Sequence, residues 1–131
     1  MINAVNNTSQ VVNATFPIPF ASNRICTGCA VKHETGSSRF TLRKPGIYNV
    51  SFNAVYSSTA AGTAILAIEV DGEPIVGGRI ANTVAVGSTY SGYVSIPVRV
   101  YECGSVSVTV NNLSTIPVTL AESAVTIERI C

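Results

Sequence analysis

The stretch YNVSFNAVY, residues 48–56, decides the fold. Tyr48, Val50, Phe52, Ala54 and Tyr56 alternate with Asn49, Ser51, Asn53 and Val55. Side chains along a strand point to opposite faces in turn, so this alternation predicts a strand with one face in a core and one outside it. The same period of two runs through AILAIEVD at 64–71, where Ala64, Leu66, Ile68 and Val70 share a face. It recurs in SVSVTVN at 105–111, where Val106, Val108 and Val110 alternate with Ser105, Ser107 and Thr109. Valine, isoleucine and threonine dominate these runs, as a pleated surface favours. No stretch shows a sustained 3.6-residue period with capping signals, so essentially no helix is expected.

Turn chemistry separates the runs: ETGSS at 34–38, KPG at 44–46, DGEP at 71–74, ECGS at 102–105 and NNLSTIP at 111–117. Asp71-Gly72 between two apolar strands predicts a tight hairpin. The expected strands are 8–16, 26–33, 38–43, 47–57, 64–71, 75–80, 89–100, 105–111 and 117–130. Short strands at this spacing predict an all-β sandwich or barrel. A length of 131 residues makes one domain, large enough for a core without cofactors or staples.

Composition narrows the function. Hydrophobic residues make up 47% of the chain and charged residues 11%, against a usual charged share of about 25%. The outside must therefore be covered by Ser, Thr, Asn and Gly, or be hidden against other subunits. A net charge of +1 with no Lys/Arg run argues against nucleic acid as partner. No apolar run approaches the roughly 20 residues of a membrane helix, so no membrane insertion is expected. MINAVNNTSQVV at the start has no basic region and no signal-type apolar stretch, so synthesis in a cytosol, with reduced cysteines, is the expectation.

The segment ETGSSRFTLRKPGIYNVSFNAVY, through Thr35-Gly36, Phe40, Pro45-Gly46 and Tyr48, resembles the motif opening the globular heads of the tumour-necrosis-factor and complement-head jelly-roll superfamily. AILAIEVDGEPIVGG resembles a later hairpin of that family. YSGYVSIPVRVYECGSVSVTVNN resembles its strand–GD–strand region, with Ser105 where Asp is common, and AESAVTIERI its closing strand. The match spans roughly 10–130 in order. It implies an antiparallel jelly-roll sandwich of about ten strands, assembling as a homotrimer, with a binding or structural role. The division expected is an N-terminal arm at 1–10 and a jelly-roll domain at 11–131. With no collagen-like stalk and no secretory signal, the chain resembles the bacterial and bacteriophage branch. The implied role is a structural virion protein, a trimeric capsid decoration or head-fibre component made in the host cytoplasm, whose partners are itself and a capsid or other virion protein. The alternative is a free-standing trimeric module recognising a carbohydrate or protein at a bacterial or spore surface.

The residues themselves supply a candidate trimer interface. Asn49, Ser51 and Asn53 share the polar face of one long strand, and Ser91, Tyr93 and Ser95 share that of another. Uncharged polar groups there can hydrogen-bond across subunits; the plain alternative is that they meet water.

No catalytic residue and no enzyme are expected. His33 is the one histidine and is expected on the surface at a strand end; Asp71, the one aspartate, belongs to a turn. No G-x-S-x-G elbow supports a Ser-His-Asp arrangement. Glu69 and Glu73 flank the hairpin as a solvated turn. The glycines of GGRIANTVAVG precede no helix that could cradle a phosphate.

Four cysteines remain: Cys26, Cys29, Cys103 and Cys131. If every connection reverses the chain, all four fall at one pole of the sandwich. Four thiolates with one C-x-x-C knuckle could hold zinc, although strong zinc signals pair two knuckles. The expectation is reduced, unligated thiols and no cofactor, with a zinc clasp second and a disulfide third.

Overall fold

The computed structural model describes residues 1–28, 30–102 and 104–131. Its strands are β1 (Ile2–Asn6), β2 (Gln10–Val12), β3 (Ser22–Cys26), β4 (Val31–Lys32), β5 (Phe40–Leu42), β6 (Gly46–Ser57), β7 (Gly62–Val70), β8 (Glu73–Val84), β9 (Thr89–Val100), β10 (Val106–Asn112) and β11 (Val118–Arg129). One sheet runs β3-β1-β11-β6-β9, with β2 also paired to β11; the other runs β4-β5-β10-β7-β8. Every pairing is antiparallel. Among the described residues no helix forms.

The alternation of β6 is realised as read. Tyr48, Val50, Phe52, Ala54 and Tyr56 are buried between the sheets, facing Leu66, Ile68, Val108 and Val110 of the opposite layer. Phe20 wedges in from a connecting segment, 5.6 Å from Phe40 and 6.5 Å from Phe52 between ring centroids. The Phe20–Phe52 pair is edge-on, an arrangement that contributes about 0.5–1.5 kcal/mol beyond its buried area. The phenol of Tyr48 donates to Lys44 O at 2.7 Å, so its polar tip is satisfied although the residue is fully buried. Asp71 and Gly72 turn the β7–β8 hairpin with φ of 52° and 86°, the left-handed pair that a two-residue turn of the predicted kind requires.

Three expectations are corrected. Residues 1–10 do not form an arm: Ile2–Asn6 is β1, hydrogen-bonded between β3 and β11, with Ile2 and Ala4 fully buried. Asparagine lowers strand propensity in INAVN, but two neighbouring strands and a buried apolar face override it. The expected strand at 8–16 is only the short β2. The expected strand at 26–33 is two elements in different sheets, β3 and β4, parted around Gly28 with φ 72°.

Strand ends gather at two poles. At the first, β1 and β6 begin while β3, β9 and β11 end, as the partners Ile2↔Cys26, Ile2↔Ile127, Tyr48↔Arg129 and Gly46↔Val100 require. Cys26 and Cys131 therefore share this pole.

Candidate functional site

The outward side of the β3-β1-β11-β6-β9 sheet is built by the register of three pairings, β1 with β11, β11 with β6 and β6 with β9. β6 and β9 pair without interruption from Gly46↔Val100 to Ser57↔Thr89, so Ser51 lies beside Ser95, Asn53 beside Tyr93 and Val55 beside Ser91. β11 and β1 extend these rows. Asn3, Thr126, Ser51 and Ser95 form one row, and Val5, Ala124, Asn53 and Tyr93 the next. All six residues expected at a trimer interface thus share one continuous face. The strand alternation of INAVN and AVTIER adds Asn3, Val5, Ala124 and Thr126, which the sequence reading left out.

Hydrogen bonds tie the side chains of this face to one another and to the backbone. Arg24 Nε donates to Asn3 Oδ1 at 2.9 Å, and Asn3 Nδ2 donates to Thr126 Oγ1 at 2.8 Å. The hydroxyl of Ser51 donates to Thr126 O at 3.3 Å, and that of Ser95 to Asn49 Oδ1 at 2.9 Å. Tyr93 stands out of this layer at 69% exposure. One edge of each sheet is guarded. Pro97 removes a donor from the edge strand β9. In β8, the other sheet's edge, a bulge advances the chain from Pro74 to Arg79 while its partner moves only from Glu69 to Ala67. Both features oppose addition of further strands.

His33 is not the surface residue expected. It lies just past β4, only 7% exposed. Its Nδ1 meets Asn23 Oδ1 at 2.5 Å, its Nε2 meets Ser37 O at 2.7 Å, and Asn23 Nδ2 donates to His33 O at 2.9 Å. The ring ties β3 of one sheet to the 34–38 turn and β5 of the other. That is a structural role, with no nucleophile or carboxylate among these contacts.

Glu69 is also misplaced by the sequence reading. Glu73 is exposed at the hairpin as expected, but Glu69 is buried on β7, where Asn111 Nδ2 donates to its Oε1 at 3.2 Å. Burial pushes its carboxyl above the ordinary value. The Oδ1 of Asn111 is buried without a hydrogen-bond partner among the described residues. The Asp71 carboxylate instead ties its turn to β10, accepting from Ser107 N at 2.9 Å.

Of the candidate metal ligands, Cys26 and Cys131 are free and exposed. Cys29 and Cys103 lie outside the described residues. Among the described residues no three His, Cys, Asp or Glu side chains gather as a metal would require.

No family model and no curated protein matches this sequence. Solved structures do match its fold. The globular domain of zebrafish complement 1qA superposes with a TM-score of 0.69 at 16% identity, covering 99% of this chain and 96% of that one. Murine APRIL gives 0.61 at 12% identity, covering 95% and 98%. PRD1 vertex protein P5 gives 0.54 at 11% identity, covering 95% and 93%.

Proposed function

Starting from a chain that carries the jelly-roll fold of the complement-head and tumour-necrosis-factor superfamily, we propose that it works as a homotrimeric structural component of a bacteriophage virion, as a capsid decoration or head fibre. The observation that carries this reading is the polar face across β1, β11, β6 and β9, whose two central rows, one of Asn3, Thr126, Ser51 and Ser95 and one of Val5, Ala124, Asn53 and Tyr93, hold no charged side chain. A face meant only for water has no need to hold its asparagines, serines and threonines in one hydrogen-bonded layer. Between subunits, such a layer keeps its polar atoms satisfied while Tyr93, Val5, Val55 and Ala124 supply apolar contact, which is the composition of an interface core with a polar surround. The guarded edges at β9 and β8 oppose open growth through those strands. The role is one of assembly, without catalysis.

The virion setting rests on the likeness to PRD1 vertex protein P5. It is tested by raising an antibody to the protein and applying it to phage particles purified on a density gradient. The expected result is label on the particles and protein in the particle band. Protein that stays wholly in the soluble fraction would contradict the virion role.

A further inference from the structure

At the first pole, beyond the last rows of the polar face, the ends of β6, β9 and β11 enclose an open cleft of about 710 Å³. Its floor is backbone. Ile47 N donates to Cys131 O at 3.1 Å and Ile130 N to Ile47 O at 2.7 Å. Gly46, at φ 143°, is packed so closely that an added Cβ would stand 2.3 Å from Cys131 O. Arg129 Nη2 donates to Pro45 O at 2.6 Å and locks the rim. The floor of the cleft is thus set by backbone pairing.

One wall differs from the rest of the surface. The guanidinium of Arg99 lies over the ring of Tyr101, 4.9 Å from its centroid, and Glu102 follows. Tyr101 is 69% exposed, and Arg99 and Glu102 are exposed as well. The Arg99 N–H groups, the Tyr101 hydroxyl and the Glu102 carboxylate make no hydrogen bond to any described residue. An aromatic ring, a fork of donors and an acceptor-only carboxylate, none with a hydrogen-bond partner among the described residues, therefore line one cleft.

We infer that this cleft is a binding site for a neutral saccharide. A pyranose presents C–H groups on one side, which suit the ring of Tyr101. Its hydroxyls both donate and accept, which matches Glu102 and Arg99 together. An anionic ligand would gain Arg99 but face Glu102, and a purely apolar one would leave both charges unpaired. The site lies within one protomer, so it does not depend on the trimer.

The test is NMR titration of the isotope-labelled protein with glucose, galactose, N-acetylglucosamine and lactose, and separately with phosphate. The expected result is saturable shifts, confined to residues 45–47 and 99–102, with at least one of the sugars and none with phosphate. Tyr101→Ala should weaken that binding about tenfold, the loss of one ring contact. Glu102→Gln should weaken it as well, and both substitutions are at exposed positions where the fold survives. Absence of saturable shifts with all four sugars would overturn the inference. So would shifts with phosphate alone, or sugar binding unchanged in Tyr101→Ala.

Discussion

The imidazole of His33 lies flat on the ring of Phe40, with centroids 4.3 Å and planes 15° apart. Stack and hydrogen bonds together make His33 a fastener between the sheets. His33→Ala should cost about 2–4 kcal/mol, because it opens a gap beside Phe40 and removes the ring's polar contacts with Asn23 and Ser37. Urea denaturation measures this. A loss under about 0.5 kcal/mol, the scale of an ordinary surface change, would contradict the role.

Phe52 stands at the centre of the core, fully buried and edge-on to Phe20. Phe52→Ala should destabilise by roughly 3–5 kcal/mol. Its outward neighbour Asn53, by contrast, should tolerate Asn53→Ala in a dissociated subunit with little change.

Glu69 should make stability depend on pH. Its folded carboxyl holds the proton to a higher pH than the unfolded one, because burial disfavours the charge. Its contribution is therefore fully present below the unfolded value and is lost as pH rises through the folded value, above the ordinary 4.5. Glu69→Gln should melt higher than the parent at neutral pH, and the gap should close in acid. A gap that widens in acid would contradict the sign.

The exposed thiols of Cys26 and Cys131 should react promptly with a thiol reagent in the native protein. The proposal of unligated cysteines further expects purified protein to carry no stoichiometric zinc and to melt unchanged in a chelator. About one zinc per chain, with a chelator lowering the melting temperature, would contradict it.

What the sequence disclosed follows from which interactions are local. The period of two in β6, β9 and β10 was legible because one side of each strand is buried along its length. The Asp71-Gly72 hairpin was legible because its chemistry sits in two adjacent residues. β1 was hidden because its stability comes from β3 and β11, far away in the chain, while its asparagines read as loop. His33 looked exposed for a similar reason: its partners Asn23, Ser37 and Phe40 belong to different elements. Glu69 was read with the turn next to it, although a register shift in the β7–β8 pairing and Asn111 on β10 decide its burial. The polar face was half legible. β6 and β9 showed their share, but the rows with β1 and β11 exist only through pairing.

Self-association is the claim on which the proposed role rests most, and light scattering across a dilution series tests it directly. The expected particle has three times the 13.7 kDa chain mass, and Ser51→Arg, placing charge in the middle of the polar face, should reduce it to a single chain without loss of β-structure. Parent protein that stays at one chain mass at high concentration would contradict the account.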